Sequence, residues 1–204
     1  MTTRTIFIVD DNNEFRQSAQ WWLASAGYDV IDFADPAAAL DALQQQPPRE
    51  PACLLLDVRM PGMSGLDLHD RLHQRGVRLP TIYMTGHGDV PLAVQAMQKG
   101  AISFLEKPFA HDALEQALDQ AFAAAAELRE EEAALAWRRR MHALTPRERE
   151  VLDWVVEDKP NKGIAELMGI SIKTVELHRK RVMDKLQAQS VTHLIKMVLG
   201  GRVV

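Results

Sequence analysis

The amino-acid sequence predicts an α/β fold: a five-stranded parallel sheet with helices on both faces, joined by a long helix to a small all-α domain. Three observations carry this prediction. Short apolar runs alternate with helix-length segments through about the first 120 residues, the pattern of repeated βα units. From His111 onward the chain is rich in Ala, Leu, Glu and Arg, with no Gly or Pro before Pro146, so one helix should run on to about Arg140. The charge also divides: residues 1–140 carry 13 basic and 20 acidic side chains, and residues 141–204 carry 11 and 8. Such a division suggests two domains with different partners.

Thr5–Val9 (TIFIV) reads as a buried strand ending at Asp10-Asp11. Asn12 or Asn13 caps a helix to Ala26, with Phe15, Ala19, Trp22 and Leu23 on one face, and Gly27 stops it. Asp29–Phe33 is a second strand; Asp35-Pro36 then supplies an N-cap and first helical residue for a helix through Gln45. Ala52–Leu56 is a third strand. Ser64 caps a helix to about Arg75, ended by Gly76. Thr81–Met84 is a fourth strand, Asp89 caps a helix to Lys99, and Ile102–Leu105 is the fifth strand, with Ile102 and Phe104 on one face.

The composition is that of an ordinary globular protein, 47% hydrophobic and 25% charged. A single cysteine, Cys53, rules out a disulfide framework within one chain and fits a reducing cytoplasm. The N-terminus reads as neither a signal peptide nor a membrane span, and no later run is apolar enough to cross a bilayer.

Parallel sheets place functional groups beyond the carboxyl ends of their strands. Here those ends are Asp10-Asp11, Asp57, Thr85 and Lys107. Three carboxylates together repel one another and need a hard cation; oxygen ligands favour Mg²⁺ or Mn²⁺. A carboxylate beside such a cation can attack a phosphoryl group, with Lys107 neutralising the transferred oxygens and Thr85 offering a hydroxyl. No Gly-x-x-x-x-Gly-Lys-Ser/Thr loop and no Gly-x-Gly-x-x-Gly after the first strand is present, which counts against a nucleoside triphosphatase and a dinucleotide-binding domain.

The ordered set Asp10-Asp11, DVRMPGMSG around Asp57, Thr85 and Lys107-Pro108 closely resembles the receiver domain of two-component response regulators. The resemblance implies a flavodoxin-like fold over residues 1–122 and a phosphoryl group passed to Asp57 from a sensor histidine kinase. It implies Mg²⁺ held by Asp11, Asp57 and the backbone carbonyl of Arg59, with Asp10 assisting. Lys107 then pairs with the phosphoryl group, Thr85 bonds to it, and Phe104 is the aromatic that turns inward with Thr85. Simple core packing is the rival reading for Phe104. A dehalogenase-like phosphatase also uses an aspartate after a parallel strand, but it wants a second aspartate two residues later, where Arg59 stands.

Residues 123–141 read as a helical linker and 142–204 as a second domain. Thr145, Pro146 and Glu148 form a capping signal. Lys159-Pro160 ends that helix, and Asn161 caps a short one carrying Ile164, Ala165 and Met168. A Gly169-Ile170-Ser171 turn follows; Ser171 caps a helix to Leu186, and a last helix begins near Ser190. A short helix, a tight turn and a longer basic helix suit DNA recognition through the major groove. LTPREREVL, NKGIAELMGIS and KTVELHRKRVMDKL closely resemble the LuxR-type helix-turn-helix domain, and the whole chain resembles the FixJ branch of response regulators. That resemblance places Thr174 and His178 near the phosphate backbone and Glu176, Leu177 and Lys180 toward base edges; Lys162, Arg179 and Arg181 are further candidates. Gly163 stands where an acidic residue is usual and weakens the first turn of its helix slightly; Glu176 stands where many relatives carry lysine, so the operator sequence is expected to differ from theirs.

The implied whole is a cytoplasmic, phosphorylation-controlled transcription factor that is not a turnover enzyme. Its expected partners are a sensor histidine kinase, double-stranded promoter DNA and RNA polymerase, with no membrane. The expected switch is homodimerisation through the segment bearing Val90, Leu92, Val94 and Lys99, with Arg78, His87 and Asp89 as polar candidates. The unphosphorylated receiver would either mask the DNA-binding helix or leave the protein monomeric. The competing expectation is a regulator indifferent to phosphorylation, its receiver serving as a protein-interaction platform.

Overall fold

The computed structural model describes residues 4–48, 51–86 and 90–201; His87 and Asp89, with the expected helix cap, lie outside the described residues. The chain forms two compact units, Met1–Leu128 and Arg129–Val204.

The first unit contains β1 (Thr5–Val9), α1 (Asn13–Ser25), β2 (Asp29–Phe33), α2 (Pro36–Gln45), β3 (Ala52–Asp57), α3 (Gly65–Gln74), β4 (Thr81–Thr85), α4 (Val90–Gln98) and β5 (Ser103–Glu106). All strand pairs are parallel, in the order β2-β1-β3-β4-β5. This is the five-stranded parallel sheet that the βα alternation predicts, in the flavodoxin-like arrangement that the receiver resemblance implies. The uninterrupted apolar strands have a physical reason, since both faces of the sheet are covered. Phe7, Val9, Leu54, Leu56 and Tyr83 join the core that includes Leu40, Leu43, Leu68 and Leu72. Ile6, Ile8, Leu55, Ile82 and Met84 join the other, with Leu23, Leu114, Leu118 and Phe122.

The caps form largely as their sequences imply. Asn12, Asp35 and Ser64 accept backbone N–H groups at the starts of α1, α2 and α3. Two strand ends differ from expectation. β3 and β4 each continue one residue further, to Asp57 and Thr85, so both side chains are held by sheet rather than loop. β5 begins at Ser103 rather than Ile102. Ile102 consequently packs against the core containing Ile82, while Phe104 packs against the one containing Tyr83, its register partner. The two residues do not share a face.

Helix α5 (His111–His142) passes the expected end at Arg140, and the division between the two units falls within it. The second unit continues with α6 (Pro146–Val156), α7 (Asn161–Met168), α8 (Ile172–Leu186) and α9 (Val191–Gly201). Its core comprises Val151, Leu152, Val155, Ile164, Met168, Val175, Val182, Leu186, Leu194 and Val198. The Thr145–Glu148 capping box forms in both directions. Asn161 does not cap α7 as expected. Pro160 occupies that position without a side-chain bond, and the Asn161 side-chain oxygen Oδ1 instead accepts from Arg179 at 2.8 Å. The long-range bond satisfies a polar group that the local cap would otherwise have used. No helix among the described residues is long and apolar enough to cross a membrane.

Candidate functional site

β1 and β3 are neighbours in register, Val9 opposite Leu56, so the next residue of each strand, Asp10 and Asp57, meets at one sheet edge. Both side chains are buried. Lys107, beyond β5, joins them: its ammonium donates to Asp57 Oδ1 at 2.7 Å and makes a short bond to Asp10 Oδ2. The same ammonium lies 4.1 Å from the centroid of the Phe15 ring, a cation–π contact that helps hold it in place. The Lys107 backbone N–H donates to the Thr85 carbonyl at 2.7 Å, which sets the start of the Lys107 segment against the end of β4. Thr85 itself is buried.

The remaining carboxylate oxygens are also engaged. The Arg59 N–H donates to Asp57 Oδ2 at 2.8 Å, and the Asn12 N–H to Asp10 Oδ1 at 2.9 Å. Burial pushes the Asp57 carboxyl above the ordinary carboxylate range; the Lys107 ammonium opposes this, and the nearby Asp10 adds to it. Sequence reading missed two supports of this geometry. Arg16 is buried and donates to the Asp10 carbonyl at 2.7 Å, to Asn13 Oδ1 at 2.9 Å and to Asp32 at 3.0 Å. Gly65 opens α3 where a β-carbon would stand 2.2 Å from the Asp57 carbonyl oxygen. A long basic side chain in a helix that opens beside two carboxylates was the available signal for Arg16; the approach at Gly65 is a tertiary fact.

Asp11 is exposed and lines an open groove of about 550 Å³ with Arg59, Met60, Pro61, Ser64 and Leu92. Phe104 is half-buried. Among the described residues no group of three or more His, Cys, Asp or Glu side chains is arranged to hold a metal ion, because Lys107 bridges two of the three carboxylates and Asp11 faces outward. The available donors are nevertheless all hard oxygens, the type a small divalent cation takes. On α4, Val90 and Val94 are exposed, Leu92 is partly buried, and Lys99 pairs with Asp70 of α3 at 2.5 Å. Arg78 is exposed.

In the second unit, Gly169 adopts the left-handed conformation (φ 65°) that turns α7 into α8, and Ser171 accepts from the Thr174 N–H at 3.1 Å. Val175, Val182 and Leu186 face inward. Lys173, Glu176, Leu177, Lys180 and Arg181 form the exposed face, as does Lys162 on α7. Thr174 and His178 are half-buried; His178 Nδ1 is buried without a hydrogen-bond partner among the described residues. Arg179 is also half-buried, and its guanidinium donates to the Asn161 side chain. Lys185 is likewise committed inward, donating to Glu148 at 2.6 Å and to the Ala143 carbonyl at 3.0 Å. Burial alone would raise the Glu148 carboxyl, but the bonds from Lys185 and the Thr145 N–H hold it below its ordinary value.

Comparison with known proteins accounts for both units. Residues 6–119 match the response regulator receiver domain, and residues 142–198 match the bacterial regulatory proteins of the luxR family. The chain is 43% identical to the transcriptional regulatory protein FixJ of Azorhizobium caulinodans, over 95% of this chain and 91% of that protein. It is 40% identical to the tetrathionate response regulatory protein TtrR of Salmonella typhimurium, over 94% of this chain and 90% of that protein. Among solved structures, the response regulator StyR aligns with TM-score 0.65 at 37% identity, covering 97% of this chain and 99% of its own. Full-length FixJ from B. japonicum aligns with TM-score 0.58 at 40% identity, covering 100% of both chains. Receiver domains generally bind Mg²⁺ at their acidic pocket and imply a histidine kinase partner; a luxR-family domain implies DNA. The chain belongs to the FixJ-like response regulators and is a phosphorylation-controlled transcription factor.

Proposed function

We propose that Asp57 is the phosphoryl acceptor. The observation that carries this is the position of its carboxylate: at a sheet end, buried, with one oxygen on the Lys107 ammonium and the other on the Arg59 N–H. A carboxylate oxygen attacks the phosphorus of a kinase phosphohistidine; the P–N bond breaks and an acyl phosphate forms, the imidazole leaving with a proton. Asp10, Asp11, Asp57 and the Arg59 carbonyl are the groups that would hold Mg²⁺, with Mn²⁺ an alternative of similar chemistry. The bound cation supplies positive charge against the transferred oxygens. Lys107 leaves its two-carboxylate bridge to pair with the phosphoryl group, and Thr85 donates its hydroxyl. Phe104 moves inward as Thr85 does. The chemistry is single-turnover: the acyl phosphate is later hydrolysed.

In this reading the receiver spans residues 1–122, the linker 123–141 and the DNA-binding domain 142–204. Phosphorylation promotes pairing of two receivers through the surface with exposed Val90 and Val94, and two copies of α8 then read a two-fold promoter site. Lys162, Thr174, His178 and Arg181 serve the phosphate backbone, and Glu176, Leu177 and Lys180 face base edges. Arg179 acts through Asn161, positioning α8 against α7. Contact with RNA polymerase and activation of transcription complete the proposal. Sedimentation in high salt, which suppresses association through exposed charges, with Mg²⁺ and with and without beryllofluoride, tests it: an increase in association that appears only with the mimic and only with Asp57 intact is expected. A mass indifferent to the mimic, or the same response in Asp57→Asn, rejects it.

A further inference from the structure

The second half of α5 has a distinctive charge order. Glu130-Glu131-Glu132 is followed by the apolar run Ala133-Ala134-Leu135-Ala136-Trp137 and then by Arg138-Arg139-Arg140. The two blocks cannot neutralise each other within one helix. Helical ion pairs form between residues three or four apart, and the positions three or four before each of these arginines hold only Ala, Leu or Trp. Those three or four after hold Met141, His142, Ala143 and Leu144.

The helix also has two faces here. Trp137 and Met141 pack against the core of the second unit. Leu135, turned about half a revolution from Trp137 at 100° per residue, is 50% exposed. Around it at helical spacing stand Glu131, Glu132, Arg138 and Arg139, all exposed. The arrangement is symmetric about Leu135: Glu132 and Arg138 lie three residues to either side, and Glu131 and Arg139 lie four. A two-fold axis perpendicular to the helix at Leu135 therefore lays a second copy antiparallel. It sets leucine against leucine and each acidic pair against an arginine pair. A parallel arrangement would set acid against acid.

We propose that this face of α5 is a self-complementary surface that takes a second copy of this chain, antiparallel about Leu135. It is separate from the α4 surface and does not depend on the phosphoryl group. Isologous contacts of this kind are self-complementary by symmetry, and their charge component weakens as salt shortens the screening length.

Sedimentation of the full chain without a phosphoryl donor tests the proposal. A reversible dimer is expected, with its dissociation constant rising at least ~10-fold between ~50 and ~500 mM salt. R138E/R139E and E131R/E132R are each expected to lose association, and an equimolar mixture of the two to regain it as a heterodimer. Orientation is read by cysteine cross-linking, for which the native Cys53 is silent because it is buried. E131C mixed with R138C is expected to cross-link between the variants, whereas E131C alone is not. A monomer at every concentration, no recovery in the mixture, or preferential self-cross-linking of E131C would each overturn the proposal.

Discussion

A β-carbon added at residue 65 would stand 2.2 Å from the carbonyl oxygen of Asp57, so the first residue of α3 and the last residue of β3 are in backbone contact through a position only glycine can fill. The Gly65 N–H also donates to the Val58 carbonyl at 3.0 Å. Gly65→Ala must push α3 or the strand end aside. The expected cost is about 1–3 kcal/mol of stability, as for other overpacked positions. Displacement of the acceptor is expected to slow phosphoryl uptake by about 10- to 100-fold. Chemical denaturation together with the rate of phosphorylation from a small-molecule phosphodonor reads both; wild-type values for both would remove Gly65 from the site.

The Asp57 site disfavours the ionised carboxyl. Its carboxyl is raised by burial more than Lys107 lowers it, so the folded state binds this proton more tightly than the unfolded chain does. Its contribution to stability is greatest below the unfolded carboxyl value and is lost as pH rises through the folded one. Asp57→Asn removes that loss, and the thermal midpoint at pH 7 is expected to rise above wild type, with the gap closing in acid. Calorimetry across that range checks the sign; a midpoint lowered at pH 7 would mean that Lys107 outweighs the burial penalty.

His69 works in the opposite direction. It is buried against Tyr83 with ring centroids 5.7 Å apart, and its Nδ1 has no partner among the described residues. Burial, with the neighbouring His73 and Lys99 acting the same way and Asp70 opposing, lowers it from 6.5 to about 4. A depressed histidine means that the unfolded chain binds the extra proton, so stability is intact above about pH 6.5 and falls as pH drops toward 4. The total loss is on the order of 3 kcal/mol at 1.36 kcal/mol per unit. His69→Leu should flatten the slope of unfolding free energy across that window by about one proton. An unchanged slope would show that His69 does not titrate differently on folding.

Arg179 and Arg181 separate two roles that their neighbouring positions conceal. Arg179 donates to Asn161 at 2.8 Å, whereas Arg181 is exposed. Arg179→Ala is expected to cost about 1–2 kcal/mol of stability through the lost charged hydrogen bond. Arg181→Ala should stay within about 0.5 kcal/mol of wild type. On DNA, Arg181→Ala should reduce the salt slope of binding by about one. Melting curves and a salt titration of operator binding distinguish them, and equal melting temperatures would dissolve the distinction.

Glu148, buried, and Lys185, half-buried, form an ion pair that a capping signal alone does not reveal. Lys185→Met leaves the Glu148 carboxylate with only its local cap bonds, and a loss of about 1–3 kcal/mol is expected. Because the Glu148 carboxyl is held low, the pair contributes above the unfolded carboxyl value and fades as pH falls through the folded one. The stability gap between variant and wild type should therefore narrow in acid; a gap independent of pH would assign the loss to packing.

The order of strands and helices, the caps at Asn12, Asp35, Ser64, Thr145 and Ser171, and the gathering of Asp10, Asp57, Thr85 and Lys107 at one sheet edge are legible in the chain's residues alone. These follow from short-range rules: side-chain period, capping chemistry, and the placement of strand ends in a parallel sheet. Tertiary structure alone decided that Arg16 grips the Asp10 backbone, that Gly65 touches the Asp57 carbonyl, and that Asn161 gives up its expected cap for Arg179. It likewise decided that Lys185 turns inward to Glu148 while Lys180 and Arg181 stay outside. Each of these is a choice between partners far apart in the chain, made by which polar groups the packed core leaves without water; spacing along the sequence carries no record of that competition.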